Sequence, residues 1–197
     1  MSEQRKIIFN GLNSLRAFGA IVVFINHIEL LRKDFGFANY YNVPFFKNGG
    51  GDLGVTLFFV LSGFLITYLL LEEKTRFAGI SLKKFYIRRI LRIWPIYYLM
   101  IFIAFFIFPA VFENYPGKNF DHFWQKLLLC ILIAPNFSLA FLGGIPGASH
   151  LWSIGVEEQF YLVWPWLIEK FYSKITLVLI LIFLGISFVP HLSDWLF

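Results

Sequence analysis

Thiols are almost absent: Cys130 is the single cysteine among 197 residues, so no intrachain disulfide can form and cysteine usage says nothing of redox compartment. Charge is scarce too. Asp, Glu, Lys and Arg make up 15% of the chain, well below the roughly 25% of a soluble domain, which excludes a fold that wraps itself in a solvated polar surface. No Ser-, Gly- or Pro-rich linker and no solenoid-period repeat appears, so neither a flexible join between domains nor a repeat array is expected. The four histidines lack the i, i+4 or short-loop spacing of a zinc site, and no metal site is expected. Of these, His122 and His191 read as loop residues near membrane interfaces.

What is present is apolar. The chain is 58% hydrophobic and 21% aromatic with a mean hydropathy of +0.70, a composition of the membrane class. Arg5 and Lys6 precede the first apolar stretch, but no small-residue cleavage site follows it, so the stretch is expected to be retained. The net charge of +5 sits beside apolar runs rather than in a nucleic-acid-binding module. It points to juxtamembrane anchoring or an anionic ligand, with no nucleic acid.

A membrane helix needs about 20 apolar residues, and windows near Leu12–Leu31, Leu53–Leu71, Ile93–Val111, Phe123–Leu142, Leu151–Ile168 and Ile175–Val189 predict five or six spans. The fold expected is all-α, a polytopic transmembrane helical bundle forming one domain over residues 1–197. Lys74, Arg76, Lys83, Lys84, Arg88, Arg89 and Arg92 crowd the connection between the second and third spans. The positive-inside rule puts that connection in the cytoplasm, and with it the N-terminus of a multi-pass protein of the inner (plasma) membrane. Full crossing is expected for Phe123–Leu142, although it leaves Lys170 and Lys174 outside. Pro135, Asn136, Gly143 and Gly144 keep a re-entrant alternative open, which would return those lysines inside.

Polar residues inside these windows are the functional candidates, because an ionisable group at membrane depth is costly. The first window carries Arg16, Asn26 and His27. Eleven helical residues make nearly whole turns and rise about 16 Å, so Arg16 and His27 share a face at different depths. The bland alternatives are snorkelling for the arginine and a histidine satisfied by a nearby carbonyl. Before the third window, Arg88 and Arg92 are one turn apart in KKFYIRRILRIWP, with Arg89 between them and Pro95 expected in the first turn of the span. Guanidinium forks suit phosphate; a basic membrane anchor is the competing reading. In GGGDLGVTLFFVLSGFLIT, close helix packing accounts for the glycines without chemistry.

The fifth window places His150, Ser153, Glu157, Tyr161 and Trp164 along one helical stripe, with Glu158 turned away from it. Such a stripe lines an active site or a proton path, or else an interhelical hydrogen-bond network. Glu157 has no basic residue one turn away on its own helix to neutralise it.

Four segments in order, Arg16 with His27, GVTLFFVLSGF from Gly54, RRILRIWP from Arg88 and SHLWSIGVEEQFYLVWP from Ser149, resemble the membrane-bound acyltransferase-3 family of carbohydrate O-acyltransferases. The resemblance implies transfer of an acyl group, modally acetyl, from acyl-coenzyme A to a hydroxyl of a cell-surface carbohydrate or lipid-linked sugar. No permanently bound cofactor is implied. On this pattern Arg88, Arg89 and Arg92 meet the donor's phosphates and Arg16 assists near the thioester. His27 is the general base, Glu157 orients or balances charge, and Tyr161 is a further catalytic candidate. Family members have about ten membrane helices, so these residues correspond to an N-terminal half, truncated or completed by a second polypeptide. A half-transporter or flippase, or a non-catalytic membrane scaffold, are the alternatives. The first would show inverted-repeat hydropathy, and the second would need neither Arg16 nor His27.

Overall fold

The computed structural model describes residues 11–34, 36–47, 49–111 and 121–174, and among these every regular element is helical. Helix α1 is Leu12–Asp34, α2 is Pro44–Lys47, α3 is Gly50–Phe77 and α4 is Leu82–Phe102. A π turn, Ile103–Ile107, carries α4 into α5, Phe108–Val111. The turn ends just before Pro109, whose missing N–H cannot serve the Phe105 carbonyl, a usual reason for a local change of helical pitch. Then come α6 (Phe123–Ile131), α7 (Pro135–Leu142) and α8 (Leu151–Phe171), closed by a 3-10 turn at Tyr172–Lys174. Two compact units divide the chain at Tyr68 and Leu69, inside α3.

Three helices, Leu12–Lys33, Gly50–Phe77 and Leu82–Val111, are long and apolar enough to cross a membrane. The expectation of five or six spans is not met by the rest. Phe123–Leu142 is two helices of 9 and 8 residues, each only about 12–14 Å long at 1.5 Å per residue. Helix α8 has 21 residues, about 31 Å, but its polar residues keep it out of the apolar set. The sixth window, Ile175–Val189, and His191 lie outside the described residues.

In the first unit α1 and α3 approach through glycine. A Cβ on Gly54 would stand 2.7 Å from Val23 Cγ2 and 2.9 Å from the Gly19 carbonyl oxygen, and one on Gly51 would overlap the Asn26 side chain. These are the close contacts expected of small residues at a helix crossing. Helix α1 ends in a Schellman motif: Gly36, at φ +72°, donates to the Lys33 carbonyl at 3.0 Å and Phe37 to that of Arg32 at 2.8 Å. Glycine meets the left-handed backbone there without a Cβ clash.

In the second unit α8 packs on α7 and α4, and α6 on α7 and α4. The core gathers Tyr97, Ile101, Ala104, Phe105, Cys130, Ile145, Ala148 and Leu151. Cys130 is buried among them, in the packing role its apolar setting implies. Another Schellman motif separates α6 from α7, with Ala134 donating to Leu129 at 2.8 Å and Ile133 to Cys130 at 3.0 Å. Ile133 takes φ +57°, a conformation costly for a β-branched residue. Surrounding bonds hold it. Tyr97 and Tyr98 of α4 donate to the Cys130 and Ile131 carbonyls at 2.8 and 3.0 Å, and Gln159 of α8 reaches the Ile133 carbonyl at 3.4 Å.

Pro95 lies well inside α4, not in its first turn, because the basic segment before it is itself helical and starts the helix at Leu82. The end of α8 meets the α3–α4 connection. Lys74 Nζ bonds the Glu169 carboxylate at 2.9 Å and its carbonyl at 2.6 Å, and the same carboxylate accepts the Ile80 N–H at 3.0 Å. The lysine beside Glu169 holds that carboxyl below its ordinary value. Since α4 leads away from this connection and α8 returns to it, the segment between them begins and ends on the opposite side. The expected full crossing of Phe123–Leu142 is therefore replaced by a hairpin, turned at Ile133, that leaves Lys170 and Lys174 beside the lysine- and arginine-rich connection.

Candidate functional site

Helix α1 is unbroken from Leu12 to Asp34, so the face shared by Arg16 and His27 is realised. Both side chains are half-buried. The His27 ring lies beside the backbone of Val23, one turn earlier on the same helix, the kind of local contact the bland reading calls for.

In the second unit the polar residues of α4 and α8 meet. Tyr161, 3% exposed, donates its hydroxyl to Glu157 Oε1 one turn earlier on α8. The Arg89 guanidinium carbon lies 4.7 Å from the centre of the Tyr161 ring and 5.6 Å from that of Phe85, within reach of cation–π attraction. A positive charge from α4 thus lies over the ring of the tyrosine that bonds Glu157. Glu158, which faces away from the stripe, is also tied to α4: Trp94 Nε1 donates to its Oε2 at 2.9 Å. Its other oxygen, Oε1, is buried without a hydrogen-bond partner among the described residues.

The basic triplet is split by the helix. Arg88 and Arg92 are exposed, whereas Arg89 is half-buried against α8. Of the remaining stripe residues, Ser153 spends its hydroxyl on the His150 carbonyl at 3.0 Å, His150 occupies the residue just before α8 with no side-chain cap bond, and Trp164 stacks on Phe160 with ring centres 5.3 Å apart. Arg16 and His27 belong to the first unit, and Arg88, Arg89, Arg92, Glu157 and Tyr161 to the second.

Sequence reasoning passed over Trp94, Glu158 and the pair Asn136 and Gln159. The two amides bond each other reciprocally, Asn136 Nδ2 to Gln159 Oε1 at 3.3 Å and Gln159 Nε2 to Asn136 Oδ1 at 2.9 Å. A Cβ on Gly155 would stand 2.8 Å from Pro135 Cδ, so α8 and α7 touch along this whole edge. The available signal was three consecutive polar residues, Glu157, Glu158 and Gln159, in an apolar helix. They cannot share one face, so more than one neighbouring helix had to receive them.

Three helices long and apolar enough to span, with an arginine, a tyrosine and two carboxylates gathered where α4 meets α8, mark a membrane protein with a half-buried polar cluster. Comparison makes this specific. A family model described as an acyltransferase domain matches residues 9–197, and the chain belongs to this acyltransferase-3 family. It is 34% identical over 160 residues to the peptidoglycan O-acetyltransferase OatA of Listeria monocytogenes, covering 79% of this chain and 23% of that protein. The putative peptidoglycan O-acetyltransferase YrhL of Bacillus subtilis is 31% identical over 160 residues, again 79% of this chain and 23% of the relative. The O-acetyltransferase OatA of Staphylococcus aureus is 30% identical over 210 residues, 92% of this chain and 29% of the relative. The chain thus spans about a quarter of the length of these relatives. No solved structure matches.

Proposed function

We propose that this chain carries the membrane part of an O-acyltransferase that moves an acyl group, acetyl in the first instance, from acyl-coenzyme A to a hydroxyl of a cell-wall carbohydrate. The observation that carries the reading is α1: an unbroken apolar helix sets an imidazole and a guanidinium on one face, in a chain that belongs to an acyltransferase family. The relatives' names favour a peptidoglycan hydroxyl as acceptor.

In this reading the acceptor hydroxyl gives its proton to His27 as its oxygen attacks the thioester carbonyl. The carbon–sulfur bond breaks, and the coenzyme A thiolate leaves with the proton from the imidazolium. Arg16, about 16 Å along α1 from His27, offsets negative charge of the donor on the side from which it enters. Arg88 and Arg92, exposed and one turn apart, take the donor's phosphates from the side of the α3–α4 connection, for which positive-inside bias favours the cytoplasm. The α1 N-terminus then lies on that side too, in the plasma membrane. Arg89 is turned onto the Tyr161 ring, away from the exposed pair. The partners are acyl-coenzyme A, the carbohydrate acceptor, membrane lipid and the further chain that the longer relatives carry.

The test is turnover per folded molecule for His27→Gln in the full-length protein. Loss of a general base lowers acyl transfer by about 10²–10⁴-fold with donor binding and membrane insertion intact. Near-normal turnover would remove His27 from the mechanism, because glutamine can replace a structural histidine's hydrogen bond.

A further inference from the structure

The connection between α1 and α3 exposes large rings. Phe37 and Tyr40 are each 65% exposed and Phe45 is 50% exposed, more apolar surface in so short a stretch than a water-facing loop carries without a partner. The segment is nevertheless held in place. Glu29 of α1, only 6% exposed, accepts the Tyr40 N–H at 2.5 Å and Arg32 at 3.3 Å, and Lys33 Nζ lies 4.0 Å from the centre of the Tyr41 ring. In α2 the Phe45 and Phe46 rings meet edge to face at 5.3 Å, next to the exposed Lys47.

What covers these rings follows from what adjoins them. The connection joins Leu31 of α1, 49% exposed, to Leu53 of α3, 63% exposed, on two helices long and apolar enough to span. For helices of that length and apolarity, lipid is the cover such side chains meet. The connection sits where the spans leave the hydrocarbon, and rings mixed with lysine are the side chains suited to that depth. We infer that the α1–α3 connection is an in-plane anchor in the headgroup layer, with Phe37, Tyr40 and Phe45 among the glycerol and ester groups and Lys47 toward lipid phosphates. Glu29 is the strap that holds it flat at the end of the helix that carries His27.

The experiment introduces Tyr40→Cys or Phe45→Cys into the full chain, labels it with an environment-sensitive fluorophore, and reconstitutes it in phosphatidylcholine–phosphatidylglycerol vesicles. Some lipids carry a nitroxide quencher beside the headgroup, others deep in the acyl chain. Cys130, 0% exposed, is closed to the label, and the parent chain sets the background. Phe64→Cys, midway along α3, calibrates depth. At positions 40 and 45 the shallow quencher is expected to act more strongly than the deep one, with the reverse at 64, and adding Glu29→Ala should lower shallow quenching at 40 alone. Lys47→Cys gives the same readout if Phe45→Cys fails to insert. Quenching by neither lipid at 40 and 45, with 64 quenched by the deep label, would overturn the inference and leave the rings to a glycan or protein partner. Loss of deep quenching at 64 would overturn the spanning arrangement on which the anchor rests. Either outcome is separable from the turnover of His27→Gln.

Discussion

Arg89 illustrates how one rotation of a side chain around a helix changes its chemistry. Its neighbours Arg88 and Arg92 project from an exposed face, while Arg89 lies over the Tyr161 ring. Replacing Arg88 and Arg92 with alanine should weaken acyl-coenzyme A binding in proportion to lost phosphate contacts, by at most a few kcal/mol, with lysine rescuing only in part because it lacks the planar fork. Arg89→Ala should instead leave donor affinity nearly unchanged and lower turnover; equilibrium donor binding beside initial rates separates the two effects. Tyr161→Phe removes the hydroxyl that Glu157 accepts while keeping the ring beneath Arg89. A half-buried carboxylate deprived of a donor costs about 1–3 kcal/mol, which thermal unfolding in detergent should register. An unchanged melting temperature would mean that water or another donor serves Glu157 equally well.

Among the elements, the crossing of α1 and α3 is the most constrained by its residues. A side chain at Gly54 meets the Gly19 carbonyl and the Val23 branch, neither of which is the far end of a flexible chain. Gly54→Leu should therefore force the helices apart and lower stability by about 1–3 kcal/mol, whereas Gly63→Leu, where a Cβ would meet no atom within 4 Å, should be tolerated. Melting temperatures of the two variants in one detergent make the comparison. The α6–α7 hairpin has a different basis. Its turn puts an isoleucine in a backbone region suited to glycine and relies on tertiary bonds from Tyr97, Tyr98 and Gln159 to hold it there. Local propensity alone did not announce that turn.

At the scale of the molecule, the contact of Glu169 with Lys74 and Ile80 decides which end of α8 lies beside the basic connection. Reporter fusions after Thr75 and after Ser173 should read the same side, and fusions after Asp121 and after Gly147 the opposite side. Positive-inside bias makes the first pair cytoplasmic. Opposite readings at Thr75 and Ser173 would restore a full crossing of Phe123–Leu142 and undo the hairpin. The ion pair itself is partly exposed, with Lys74 and Glu169 side chains 16% and 35% accessible, and partly solvated pairs contribute about 1 kcal/mol or less. Its value is as a marker of topology, and the packing of α8 on α4 and α7 supplies the stability.

The sequence by itself determined the helical class, the first three spans, the glycine-lined crossing and the shared face of Arg16 and His27, because each depends on local composition or on helical periodicity within one element. It also carried the family resemblance, through Arg16, His27 and the segments that begin at Gly54, Arg88 and Ser149. Only the tertiary structure decided that Arg89 lies over the Tyr161 ring, that Trp94 holds Glu158, and that Phe123–Leu142 doubles back. Each of those depends on which helix lies against which. Two helices far apart in sequence reveal their pairing only when a guanidinium, an indole or a carboxylate on one finds its partner on the other.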